Sequence, residues 1–476
     1  MDKREKCGIL SLTIFLLKKG DKGMRKALII LFLGSILVLP IKNAYSAGSG
    51  AYRLEVPDAE AMGKGSAFVA QADNPSAVYY NPAGLTQLKG KAYVSVGTAV
   101  VQPFCTYKDA SGNETNRRRQ RFVIPHTYFV SDFGLEKFTF GFGATSYWGL
   151  GTWWAEDSFS KYVSTKADYS TQDAMITGAY ELNENISLGI GVDYAGSYAN
   201  KKKKLLQGAG LVVSTDGDFQ LKAKDTNAWG YRLSTLYKIN EKHQLGLMYR
   251  SEVDVKYKGK VYLNDLNADL SVDLSSPADA MPDASYQTIF GGTSYETDIT
   301  TKSTLPQSVV LGYCYKPNKK WTFETDIEWM DWSSVQEEKI DYPSGFGSEA
   351  ISGARSAVLN NGNPVPKNWH SAFSCGLGTE YKVSDKWKLR GGYFYHQSPI
   401  AGANFDTSLP DSDSHSLTAG LGYKFNKDMG LDFAYAGMFY NKRGVQNTAG
   451  SSSGASINGD YETFINVYML TFSFKL

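Results

Sequence analysis

The chain has 476 residues, 42% of them hydrophobic and 21% charged, a balance too polar for a bundle of membrane helices. Its formal net charge of +2 gives no basis for a nucleic-acid partner. Aromatic residues reach 13%, led by 31 Tyr, and there are 47 Gly, a mixture that suits many short strands, aromatic girdles and tight turns.

In chain order, the first element is an apolar run from Leu28 to Leu39, preceded by Arg25 and Lys26 and followed by Ala44-Tyr45-Ser46. Basic region, short apolar core and small-residue site together predict a secretory signal peptide over 1–46, cleaved after Ser46. Residues 1–23 read as a mis-assigned start ahead of Met24. Of the four Cys, Cys7 falls before the cleavage site. Cys105, Cys314 and Cys375 cannot all pair and lack metal-ligand spacing, so neither a metal nor a cofactor is expected.

Residues 47–90 do not alternate. They carry Gly, Ala and turn residues, including Asp73-Asn74-Pro75 and Asn81-Pro82-Ala83-Gly84-Leu85. Phe68, Val69, Val78, Tyr79 and Tyr80 argue against a free periplasmic tail. A segment of this size inside a wide barrel would act as a plug.

From 91 to 476 the pattern has period two. Phe138, Phe140 and Phe142 alternate with Thr139, Gly141 and Gly143; Ile186, Leu188, Ile190 and Val192 alternate with Ser187, Gly189, Gly191 and Asp193; Trp321, Phe323, Ile327 and Trp329 alternate with Thr322, Glu324, Asp326 and Glu328. Apolar groups on one face and carboxylates on the other predict a lipid-facing side and a lumen side. The rule gives about 14 strands, near 91–103, 121–131, 137–147, 171–181, 186–198, 225–239, 243–257, 303–315, 320–332, 370–382, 386–396, 414–425, 430–440 and 462–475. Tight turns such as Leu182–Asn185 and Val383–Asp385 alternate with long polar stretches: 104–120, 148–170, 199–224, 258–302, 333–369, 397–413 and 441–461. Short periplasmic turns and long outer loops mark an all-β, antiparallel transmembrane barrel of a bacterial outer membrane. The last strand ends with Tyr468, Leu470, Phe472, Phe474 and Leu476 on one face.

Four stretches carry a family resemblance: Gly63 to Ala70 with Asp73 to Leu85; Tyr249-Arg250-Ser251-Glu252; Leu305-Pro306 through Asp331-Trp332-Ser333; and Trp387 to Leu389 with Gln397-Ser398-Pro399 and Leu409-Pro410-Asp411-Ser412-Asp413. In order and spacing they resemble the FadL family of outer-membrane long-chain fatty acid transporters, TodX-like aromatic-hydrocarbon channels included. The resemblance implies that 47–90 is a hatch inside the lumen, with Asn81, Pro82 and Ala83 its signature. It implies capture in an apolar groove, transfer to an inner pocket, and lateral exit at a kink in an early strand.

A fatty-acid carboxylate in such a pocket needs a cation or several donors. Arg250 and Arg390 fall on the lumen side by alternation; the structural alternative is pairing with Glu252, Glu324, Asp326 or Glu328. The resemblance places a basic ligand contact at Lys339. Lys201 to Lys204 lie near another basic position of the family, with a solvated loop as the alternative. Arg117-Arg118-Arg119 and Arg121 meet either solvent or lipopolysaccharide phosphates. Trp153 and Trp154, with Trp148 and Phe159, form either a capture groove or an interface girdle. The five His make no recognisable triad or metal cluster, so an enzyme is not expected. A general porin would lack Asn81-Pro82-Ala83. The expected partners are a long-chain fatty acid or a neutral hydrocarbon, outer-membrane lipid and lipopolysaccharide, with the protein a monomer.

Overall fold

The computed structural model describes residues 50–207, 215–268, 271–272, 284–343 and 349–476. The segment read as a signal peptide lies outside them. The wall is a closed antiparallel barrel of fourteen staves. They are β1 (Tyr93–Lys108), β2 (Phe122–Ser131), β3 (Phe138–Thr145 and, after a break, Gly149–Trp153), β4 (Lys166–Glu181), β5 (Ile186–Gln207), β6 (Thr215–Lys238) and β7 (His243–Arg250 with Val253–Asn264). Then follow β8 (Tyr295–Leu305 with Ser308–Tyr315), β9 (Trp321–Met330), β10 (Ala372–Lys382), β11 (Trp387–His396), β12 (Ser414–Asn426), β13 (Met429–Tyr440) and β14 (Gly459–Lys475). Closure runs along the whole of β1, from Tyr93 opposite Lys475 to Lys108 opposite Asp460. Hydrocarbon offers no partner to an open edge, which makes this seam a condition of the fold.

The apolar members of each alternating pair face outward. Ile190 opposes Leu233, and Leu311 lies between Leu247 and Ile327; all five are exposed to the lipid side. Several staves run further than the alternation of apolar residues predicts. β4 starts at Lys166, β5 and β6 pair out to Gln207 opposite Thr215, and β8 starts at Tyr295. Parts of 199–224 and 258–302 expected as loops are therefore strand. Above the membrane the outer face meets water, so its residues turn polar while the ladder continues.

Residues 50–90 pack on the inward face of this wall. Helices α1 (Ala59–Met62) and α2 (Ala77–Tyr80) and a 3₁₀ turn (Pro82–Gln87) carry them. Asp58 caps α1 by accepting from the Ala61 amide at 3.2 Å. Carboxylates of β9 hold the main chain between: Asp326 accepts from the amides of Phe68 and Val69 at 2.8 and 2.9 Å, and Glu324 from those of Ala70 and Gln71 at 2.9 and 2.7 Å. Charge-assisted bonds of this kind are roughly twice as strong as neutral ones. Inward glycines make the approach possible. A Cβ on Gly378 would fall 2.3 Å from the Lys64 carbonyl, and one on Gly189 2.3 Å from the Ala83 amide.

Candidate functional site

The Asn81-Pro82-Ala83 turn is wholly buried. Asn81 Nδ2 donates to the carbonyls of Val69 at 2.8 Å and Thr235 at 3.2 Å, while its Oδ1 accepts from the Ala83 amide at 3.1 Å. The Ala83 amide also reaches Ser234 Oγ at 3.0 Å. Pro82 starts the 3₁₀ turn, where its fixed φ fits and its missing N–H costs nothing. One asparagine thus ties the turn to an earlier part of the same segment and to stave β6.

Stave β3 breaks at residues 146–148, and the start of the N-terminal segment fills the break. Leu54 donates to the Tyr147 carbonyl at 2.9 Å, Gly149 donates to the Tyr52 carbonyl at 2.7 Å, and Arg53 bridges Trp148. The ladder between β2 and β3 covers only Thr127–Ser131. Above it, the next backbone contact between these two regions is the Arg118 amide on the Trp153 carbonyl at 2.8 Å. Between those points the described residues of the two staves share no ladder, a window in the hydrogen bonding of the wall.

Two cavities lie on either side of Tyr52 and Arg53. The outer one, of about 90 Å³, has an apolar body that includes Tyr52, Leu150, Tyr169, Tyr257, Trp369 and Ile400. Its aromatic rings pack on one another: the ring centre of Tyr52 lies 5.3 Å from that of Tyr169 and 5.7 Å from that of Trp369, with Trp332 packed behind Tyr52 at 4.9 Å. Its other end is charged. Lys367 lies 2.5 Å from Asp406 and 3.8 Å from Glu338, and Glu338 also takes Lys201. Burial alone would raise the Asp406 carboxyl, but the Lys367 ammonium beside it more than offsets this and holds it down at about 2. Burial is likewise outweighed at Glu338, which Lys201 and Lys367 hold low.

The inner cavity, of about 30 Å³, has room for about one water. Arg250 borders it, stacked 3.9 Å from the Tyr147 ring centre and 5.0 Å from that of Tyr79. Its carboxylate neighbour is Asp193 at 3.7 Å, which also holds Arg232. The pairing expected with Glu252, Glu324, Asp326 or Glu328 gives way to Asp193 because the N-terminal segment engages the β9 carboxylates: Glu328 holds Arg53, while Asp326 and Glu324 hold backbone amides from Phe68 to Gln71. Arg390 pairs with Glu380 at 2.7 Å, Asp432 at 2.6 Å and Glu60 at 3.3 Å; it is a tie between wall and segment.

Three expected ligand contacts stand elsewhere. Lys339 is half exposed, pairs with Asp341 at 2.8 Å and lies outside both cavity linings. Trp153 points to Asp168 and lies under Lys166. Trp154 is buried and donates to the Thr407 carbonyl at 2.9 Å. Both tryptophans fasten outer segments together and lie outside the two cavity linings. Arg117 is buried too, its guanidinium on the Gly151 carbonyl. The residues missed, Tyr52, Trp369, Lys367, Glu338 and Asp406, come from three distant stretches. Only Lys201 among the cavity cations stood in a basic run singled out beforehand.

Fold and site define an outer-membrane barrel whose lumen is crossed by its own N-terminal segment, with an amphipathic cavity at the outer end. The chain belongs to the family described as outer membrane protein transport protein (OMPP1/FadL/TodX), whose model matches residues 43–476. It is 26% identical over 438 residues to the long-chain fatty acid transport protein of Escherichia coli O6:H1 strain CFT073, covering 87% of this chain and 91% of the relative. It is 22% identical over 442 residues to outer membrane protein P1 of Haemophilus influenzae strain KW20, covering 82% and 86%. The structure of a Pseudomonas aeruginosa FadL homologue superposes with a TM-score of 0.73 at 16% identity, over 89% of this chain and 99% of that one. The Pseudomonas putida toluene transporter TodX superposes at 0.62 with 19% identity, over 87% and 99%. The protein therefore resides in the bacterial outer membrane.

Proposed function

We propose that this protein carries long-chain fatty acids, or amphiphiles of similar shape, passively across the outer membrane, with residues 47–90 as the hatch. The observation that carries the reading is the division of the outer cavity into an aromatic body and a lysine–carboxylate end. An alkyl chain gains about 0.8 kcal/mol per CH₂ on leaving water for such a body. A carboxylate head can exchange for Asp406 or Glu338 on the lysines. Withdrawal of Gly50 to Leu54 from the β3 break then joins the outer cavity to the window beside β2, and the ligand leaves sideways into lipid. No energy-coupling step is required, and no catalytic role is part of the reading. The seam between β1 and β14 closes the sheet on itself and leaves no terminal stave for a second copy to pair with, which supports a monomer surrounded by outer-membrane lipid and lipopolysaccharide.

One observation favours a neutral aromatic hydrocarbon instead: Lys201 and Lys367 each already have a carboxylate. Binding of oleate and of toluene to the purified protein separates the two. For a fatty-acid carrier, oleate binds and Lys367→Ala weakens it by about 1.5–3 kcal/mol, while Lys339→Ala leaves it unchanged. Toluene binding without oleate binding would replace the fatty-acid reading with the hydrocarbon one.

A further inference from the structure

The outward face of staves β6, β7 and β8 changes character above the membrane. Tyr194 and Trp229 pack at 5.2 Å, and Tyr231 and Tyr249 at 5.9 Å, with Trp229 and Tyr231 exposed. Aromatic side chains facing out in this way mark the membrane interface. Beyond them the same face turns to lysine. Register sets Lys222 opposite Lys260 and Lys224 opposite Lys258 across β6 and β7, and Lys256 opposite Lys302 across β7 and β8.

Directly opposed like charges destabilise a sheet. Among the described residues only Lys260 of these six has an ion-pair partner, Glu296 at 2.7 Å. Asp225 accepts from the backbone amides of Lys256 and Asn227 at 2.7 and 2.8 Å, Asp254 accepts from Thr304 at 3.3 Å, and Asp298 stands directly opposite Lys260; among the described residues none of these three acids forms an ion pair with Lys222, Lys224, Lys256, Lys258 or Lys302. Lys222 does lie over the Tyr262 ring at 5.3 Å, which holds its stem to the wall. A charge arrangement that costs the isolated protein stability calls for an external polyanion.

Position says which. Lys224 stands five residues beyond Trp229, roughly 13 Å further out for a tilted stave. That is the layer just above the hydrocarbon, where the charged parts of outer-leaflet lipid lie. We propose that this lysine face binds the phosphate groups of a bis-phosphorylated glycolipid of the outer leaflet, the lipid A part of lipopolysaccharide. Lysines near a membrane surface each contribute to binding of anionic lipid, and three opposed pairs give a multivalent site. The inference rests on outer-membrane residence and not on which compound the channel carries.

Native mass spectrometry of the purified full chain tests it, with three probes: bis-phosphorylated lipid A, the same lipid dephosphorylated, and inorganic phosphate. The comparison is wild type against the combined Lys222→Gln, Lys224→Gln, Lys256→Gln and Lys258→Gln variant. Wild type should retain lipid A in a salt-sensitive manner, and the variant should bind it at least about tenfold more weakly. Dephosphorylated lipid should bind both weakly. Heat-modifiable gel mobility checks the barrel; should the quadruple variant not fold, the pair Lys224→Gln with Lys258→Gln takes its place. Equal lipid A retention by folded variant and wild type would overturn the proposal. So would inorganic phosphate binding as tightly as lipid A, since the face would then be a general anion site.

Discussion

Asn81 Nδ2 donates to the Val69 carbonyl at 2.8 Å, and both residues are buried against the inner wall. The bond joins two limbs of the N-terminal segment at the point where Asn81 also meets β6. If this junction governs the proposed hatch, Asn81→Ala should lower ligand uptake while the barrel still assembles. The loss leaves two buried carbonyls without this donor, a local cost of about 1–3 kcal/mol. Normal uptake at normal outer-membrane levels would count against the role.

Closing the β3 break covalently should block transport. Arg53 and Trp148 are bridge partners, at a separation a disulfide can span. In a background lacking Cys105, Cys314 and Cys375, the double variant Arg53→Cys with Trp148→Cys is expected to lose uptake on oxidation and recover it on reduction. Equal uptake in both states would show that residues 50–54 need not move.

Removing Arg390 should loosen the segment more than the wall. Its guanidinium balances Glu60, Glu380 and Asp432, and deleting one partner of a buried network costs about 3–5 kcal/mol. Arg390→Ala should therefore expose the Ala59–Met62 region to added protease while the barrel keeps its folded gel mobility. Unchanged protease resistance would argue that the other contacts hold the segment alone.

Acid should open the charged end of the outer cavity. The Asp406 carboxyl sits at about 2 against an ordinary value of 3.8. A depressed carboxyl stabilises the fold above its unfolded value and loses that contribution as pH falls through its folded value. The contribution, about 2 kcal/mol, is thus intact above about pH 4 and is lost toward pH 2. Intrinsic tryptophan fluorescence should report a transition in that window, and Asp406→Asn should flatten it. A transition of the same size in the variant would assign it to other groups.

The wall was legible because its chemistry repeats. Ile190 and Leu233, or Glu324 and Asp326, take their sides from a period of two that each stave states locally. The cavity was not, because its members share no period: Tyr52, Tyr169, Lys367 and Asp406 meet only once the barrel has closed. Lys339 and Lys367 belong to one long connection, and no repeat in it specifies which lysine turns inward. Arg250 illustrates the same limit, since its neighbour Asp193 lies two staves away and depends on register. Stave ends were read short for a different reason, the change of solvent outside β5 to β8.

The wall glycines and the β9 carboxylates act on the segment through its backbone. Asp326 and Glu324 hold amides from Phe68 to Gln71, and Gly378 and Gly189 leave room for the main chain at Lys64 and Ala83. Amides are common to every residue but proline, so this grip fixes a path and not a side-chain type, while the buried Val69 and Ala70 side chains are held to small apolar size by the wall around them. A methyl group at Gly378 would evict the backbone it cradles. Inheritance is therefore strict on both partners, in the groove for the lack of a side chain and in the thread for the size of one.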